Sequence, residues 1–347
     1  MIALPVELWF SVIDALGFDK ATLTACLTVC RTFHSRALQH LMRHLELSQV
    51  SSTKTCHADP AALLDLLESQ PDTYNPLPRR FSINCLEFTP TEHTIKTRAL
   101  RLLPQFSNLG QLHLQNLDLS AADAPTILKW SFPSIHKLAL DGCHFDARSL
   151  TTFLSRFSSL AELRLASCVT WTEKSGDAEL PWSDCILDLM VGRGYDSTDD
   201  GSFKWAAQHR KHFLFRSLHL TTLYLRESVL EERLKVIGSR VRGLFLDVSH
   251  SVNFAVQAQS LRHAAFTVSM CTALETLDLR CGYTADVLLF ETIPPSCRLF
   301  RVHVTYLSRT ERSGLMPERW IDWTAKYNIP EKILLHGNEV IASVTSN

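Results

Sequence analysis

The chain has 347 residues, enough to bury a sizeable core as one elongated unit or two domains. Its 35 Lys and Arg stand against 36 Asp and Glu, a formal net charge of -1, so neither nucleic acid nor a membrane surface is the expected partner. No apolar run has the length a membrane span needs, and no charged-then-apolar leader opens the chain. The ten cysteines are therefore expected as reduced thiols of a cytoplasmic and/or nuclear protein. They form no C-x-x-C pair that would argue for zinc or thioredoxin-type chemistry.

In chain order, the first stretch reads as three short helices. Pro5 suits a first helical turn, and Leu8, Val12, Ile13 and Leu16 recur at helical spacing up to a stop at Gly17. Asp19 is an N-cap for a second helix carrying Leu23, Cys26, Leu27 and Cys30, its two cysteines expected in the core. A third helix carries Phe33, Ala37, Leu38 and Leu41. So small a unit leaves apolar side chains over, among them Val6, Trp9 and Phe10, which suggests that it docks on something else. A polar stretch follows, then a short helix after Asp59-Pro60. Pro71, Pro76 and Pro78 make residues 70–80 a loop.

From Ile83 onward one pattern returns: apolar, two residues, apolar, one residue, apolar. It occurs at Ile83/Leu86/Phe88, Leu109/Leu112/Leu114, Ile135/Leu138/Leu140 and Leu160/Leu163/Leu165. It returns at Leu220/Leu223/Leu225, Val241/Leu244/Leu246, Leu274/Leu277/Leu279 and Leu299/Val302/Val304, with degenerate copies at Leu187/Leu189 and Ile333/Leu335. The first four leading residues stand 26, 26 and 25 residues apart. An ordinary doubly wound domain also alternates strand and helix, but it does not require a fixed period, whereas a solenoid does. Helical returns are expected at Thr91–Leu103, Asp146–Phe157 and Ser228–Ser239, with a longer helix before Leu274. Acidic, Gly/Ser-rich segments between Leu165 and Leu220 read as surface loops. Pro317–Asn328, with Trp320, Trp323 and Tyr327 at helical spacing, reads as a helix capping the last repeat.

Two resemblances follow from these residues. Leu4, Pro5, Glu7, Leu8, Ile13, Leu16, Leu23, the Val29-Cys30-Arg31 triplet and Phe33 resemble the F-box, although that family usually has Trp where Phe33 stands. The repeated pattern, with Cys143 and Cys168 at the Asn/Cys position, resembles the leucine-rich-repeat family in an irregular form. Together they imply an α/β fold: an F-box over 1–47, a linker with a first helical unit over 48–82, and a repeat solenoid over 83–347, a curved parallel sheet with outer helices. The F-box resemblance implies docking of Leu4, Pro5, Leu8 and Ile13 on a Skp-type adaptor and, through it, a cullin. The chain would then be the substrate-recognition subunit of a ubiquitin ligase. The alternative is a non-catalytic interaction scaffold whose first helices cap the solenoid or bind the adaptor without a cullin.

Catalytic signatures are absent: no phosphate-cradling glycine loop, no G-x-S-x-G, no H-E-x-x-H. His209 and His212 lie three apart on an expected helix with no third ligand in view. The chain is therefore expected to be a non-enzyme with no metal or cofactor. Its binding surface would be the concave strand face, where residues between the inward leucines point: His113, Gln115, Lys137, Arg164, Tyr224, Arg226, Phe245, Asp278, Arg280, Arg301 and His303. That mixture of charge and aromatic rings suits a protein target.

Overall fold

In the computed structural model, residues 5–16, 19–47, 60–84, 93–118, 130–166, 179–191, 201–221, 227–247, 254–281, 293–294, 297–299, 301–306, 331–336 and 339–345 are described. Three helices open the chain. Helix α1, Val6–Ala15, follows Pro5 and carries Glu7 in its first turn, where the helix dipole favours an acid. Helix α2, Lys20–Cys26, is capped by Asp19, whose carboxylate accepts from the Thr22 backbone N–H at 3.2 Å and the Thr22 hydroxyl at 2.7 Å. Helix α3, Arg31–Arg43, starts after an extended Cys30. Ile13, Leu23 and Ala37 form their common core, with Leu16, Cys26, Leu27, Phe33 and Leu41 against it. The second helix stops short of expectation. Leu27 to Val29 form a turn, and Cys30 is exposed at the start of α3 and not buried beside Cys26.

The chain divides into two units, Met1–His144 with Ser149–Leu160, and Phe145–Arg148 with Ala161–Asn347. The first unit holds four parallel strands, each beside the one before it in sequence: β1, His44–Leu47; β2, Arg80–Asn84; β3, Gln111–Gln115; β4, Lys137–Asp141. Leu45, Phe81, Leu112 and Leu138 align as one row, and Leu47, Ile83, Leu114 and Leu140 as the next, all buried. Each such side chain contributes roughly 1.5–3 kcal/mol by leaving water. Helices α4, Pro60–Ser69, α5, Pro71–Tyr74, and α6, His93–Leu102, link the strands. Helix α7, Ala147–Leu154, follows β4 and is continued by Phe157, which stacks on Phe132 with ring centroids 4.9 Å apart.

Two features correct the expected repeat. The sheet begins with β1, inside the stretch read as helical. The copy at Ile83 is framed not as Ile83/Leu86/Phe88 but as Pro78/Phe81/Ile83, because Phe81 and Ile83 pair with Leu112 and Leu114. Leu86 and Phe88 lie outside the described residues.

The turn leaving β4 behaves as the Asn/Cys position requires, while Leu117 stands at that position after β3. Asn116 and Gly142, one residue past β3 and β4, both have left-handed backbone, φ 55° and 61°. Buried Cys143 then donates its thiol to the Leu114 carbonyl at 3.4 Å and the Asp141 carbonyl at 3.6 Å. Cys168 lies outside the described residues.

The second unit contains β5, Glu162–Ala166; β6, Cys185–Val191; β7, Phe213–Thr221; β8, Gly243–Asp247; β9, Thr276–Cys281; β10, Arg301–Tyr306; and β11, Glu331–His336, in sequence order and parallel. Strand β12, Glu339–Thr345, then pairs antiparallel with β11. Helices α8, Gly201–Gln208, α9, Glu227–Ile237, and α10, Phe254–Met270, are its described returns. The expected returns at Ser228–Ser239 and before Leu274 match α9 and α10. The expected capping helix at Pro317–Asn328 lies outside the described residues.

A bulge in β7 corrects a second copy. Leu187 faces Phe215, but Asp188 faces Ser217, so Arg216 is an extra residue. Phe215, Leu218 and Leu220 are all buried, and Leu220 closes this copy and does not open Leu220/Leu223/Leu225, whose last two residues lie outside the described residues. No helix among the described residues is long and apolar enough to cross a membrane.

Candidate functional site

Because alternate side chains of these strands enter the core, the ones between them form registered rows on the open sheet face. In the second unit the middle row runs Met190, His219, Phe245, Asp278 across β6, β7, β8 and β9. The row on one side holds Arg164, Asp188 and Ser217, and the row on the other holds Asp247 and Arg280. All of these but Asp278 line a cavity of about 390 Å³. A second cavity of about 220 Å³ shares Ser217, His219 and Phe245 and adds Asp278. The His219 and Phe245 rings stack with centroids 5.0 Å apart.

The charges are arranged in defined pairs. The bulge sends Arg216 and Ser217 to the same face, where both reach Asp188. The Ser217 hydroxyl donates to it at 2.7 Å and Arg216 Nε at 3.0 Å, while a second guanidinium N–H closes a bidentate pair. Arg216 also reaches Glu162 at 3.5 Å. Burial pushes the Asp188 carboxyl up, but the Arg216 and Ser217 hydrogen bonds and the nearby Arg216 and His219 charges outweigh it, so the carboxyl stays below its ordinary range. The Asp247 side chain is 8% exposed, with Arg280 at 3.6 Å. Arg164 donates to the Met190 thioether at 3.3 Å and pairs with no carboxylate among the described residues.

The first unit has a smaller counterpart of about 320 Å³ among Lys20, His44, Glu46, Arg80, Ser82, His113 and Gln115. Gln115 donates to His113 at 3.2 Å, and His113 approaches Ser82 at 3.4 Å. Burial, then the charges of Arg80, Arg43 and Lys20, push the His44 imidazole below its ordinary value.

Of the expected face residues, the structure brings Arg164, Phe245 and Arg280 to one cavity and Asp278 to its neighbour. His113 and Gln115 meet in the first unit, where Lys137 aligns with Gln111. Strand β7 ends at Thr221, and Tyr224 and Arg226 lie outside the described residues. Arg301 and His303 are in β10, paired with Thr276 and Asp278, but their side chains lie outside the described set. Sequence reasoning missed Asp188, Met190 and His219. The first two sit beside Leu187 and Leu189, a copy that was recognised. His219 follows from reading Phe215/Leu218/Leu220 as the copy.

On the three helices, Pro5 is exposed, and so are Leu8 at 50%, Val12 at 52%, Val6, Trp9 and, past α2, Val29. Ile13 corrects the expected docking set: at 1% exposure it is a core residue and cannot touch a partner. Leu4 lies outside the described residues. Arg36 holds Asp14 in a bidentate pair from α3, and His40 adds a 2.7 Å contact, fixing how α1 presents its outer face.

Among the described residues no three His, Cys, Asp or Glu side chains gather as a metal site would require. His209 ends up past the end of α8 and His212 in the short 3-10 turn after it, with His212 Nδ1 2.8 Å from the Trp182 carbonyl. No protein-family model matches this chain, and no curated protein matches it.

Proposed function

We propose that this chain is a non-catalytic substrate-recognition subunit of a Skp/cullin/F-box ubiquitin ligase. Its first three helices dock on a Skp-type adaptor, and the open face of its irregular leucine-rich-like repeats holds a protein target. One observation carries the reading: α1 keeps Leu8 and Val12 half-exposed beside Val6, while Ile13 is its buried residue and Trp9 rests on Phe33 with ring centroids 5.4 Å apart. Apolar side chains in that number on a ten-residue helix are expected to be covered by a partner. The rival reading, in which these residues cap the repeats by packing on Leu63, Leu66 and Leu67, is disfavoured by that exposure. Leu64 and Leu67 are themselves buried, and α4 packs with α6. A receptor of this kind performs no chemistry and raises the effective concentration of a target near the transferring enzyme.

Co-purification with a Skp-type adaptor tests this. The intact chain is expected to form a stable complex, and Leu8→Asp/Val12→Asp, which alters only exposed positions, is expected to lose it while keeping its circular dichroism. Failure of the folded, intact chain to bind would refute the receptor assignment.

A further inference from the structure

We infer that the Met190–His219–Phe245 row, with Arg164 and Arg280 on its two sides, binds an acidic peptide segment that carries an aromatic or long aliphatic side chain. The inference rests on the reading that this sheet face holds the target.

The hydrogen-bonding balance of the cavity decides the sign of the ligand. Asp188 already accepts from Arg216 and from Ser217, and Asp247 is nearly buried beside Arg280. The Asp188 acceptors are thus committed within the protein, and burial withdraws the Asp247 carboxylate from a ligand. The two arginines keep donors to spare among the described residues: a guanidinium carries five N–H groups, and Arg164 donates to a thioether, a weak acceptor. Arg280 meets Asp247 at 3.6 Å, beyond ordinary hydrogen-bond reach, and is 46% exposed. What the cavity lacks is acceptor oxygen, and carboxylates match the planar guanidinium fork.

The row between the arginines decides the rest. Met190, His219 and Phe245 are directly aligned on three neighbouring strands, about 4.8 Å apart at each step. The stacked rings and adaptable thioether offer an edge against which an aromatic or aliphatic side chain packs. A cation would instead meet two arginines and no uncommitted carboxylate in this cavity.

The experiment is fluorescence anisotropy on the full chain with labelled Glu-Glu-Phe-Glu-Glu, compared with Glu-Glu-Ala-Glu-Glu and Lys-Lys-Phe-Lys-Lys. The first peptide is expected to bind saturably, and both controls about tenfold or more weakly. Arg164→Glu and Arg280→Glu are each expected to weaken the first peptide by a similar factor, and Arg164→Gln by less. Both arginines are exposed, so the variants should keep the fold, which circular dichroism checks. Equal or tighter binding of the lysine peptide overturns the inference. So does an unchanged affinity in the charge-reversed variants, or no saturable binding by any of the three. Adaptor capture by the same preparations, and peptide binding by Leu8→Asp/Val12→Asp, are read separately. A chain that holds the adaptor but not the acidic peptide refutes this inference alone. One that binds the peptide but not the adaptor refutes the receptor assignment and leaves the peptide site standing.

Discussion

Single residues fix the presentation of the first helix. The Asp14 carboxyl is held well below the ordinary carboxylate range, first by the Arg36 hydrogen bond and then by His40. A carboxylate with a depressed folded pKa adds stability above its unfolded value of about 3.9 and loses it as the pH falls through the folded one. Asp14 is 39% exposed, so solvent screening reduces the pair to about 1 kcal/mol. Amide protection of Val6–Ala15 in the intact chain is therefore expected to drop as the pH falls below about 4. Asp14→Asn is expected to cost several-fold in protection at neutral pH and to flatten that dependence. Equal protection in the variant at neutral pH would show that the Arg36 contact contributes nothing.

The strand is the element whose parity governs this molecule. Leu218 is fully buried in β7, whereas Leu214, four residues earlier, is 43% exposed, because the extra residue Arg216 reverses the alternation between them. Leu218→Ala is expected to destabilise by about 2–5 kcal/mol. Leu214→Ala should stay within about 0.5 kcal/mol. Comparable losses in urea melts of the two variants would contradict the bulged register. The same parity explains what could be read from sequence. Returns and strands were legible wherever one frame of the apolar pattern fits, as at Leu112/Leu114 and Leu138/Leu140. At Ile83 and Leu220 two frames five residues apart share a residue, and only pairing with the neighbouring strand chooses between them. At Met42/Leu45/Leu47 the pattern is present but follows directly on helix α3, so it read as helix. The cavity inherited these errors: His219 depends on the frame, while Arg164, Phe245 and Arg280 do not.

At the scale of the whole molecule, burial sorts the described thiols. Cys30 is exposed, while Cys143, Cys185 and Cys271 are buried. Burial, with the Glu162 charge, pushes the Cys185 thiol up to about 12, and burial raises Cys271 as well, so neither supplies thiolate near neutral pH. Maleimide followed peptide by peptide in a mass spectrometer is expected to modify Cys30 rapidly. Cys185 and Cys271 should react only at the rate of unfolding. Rapid modification of Cys271 in the native chain would mean that the second unit opens without global unfolding.

The bulge and the rows also bear on how such a chain can change. Aligned inward residues are separated by 24 positions from Leu163 to Leu187, 26 from Leu112 to Leu138, 29 from Leu189 to Leu218 and 33 from Leu244 to Leu277, yet the rows stay in step. Inserting residues into a return therefore costs little beyond loop-closure entropy. Inserting one residue within a strand inverts every side chain after it unless a bulge absorbs the change. Length and specificity are thus inherited through separate sets of positions. The returns can drift by indel, while the open face is rewritten by substitution at fixed addresses, neither edit disturbing the leucines beneath.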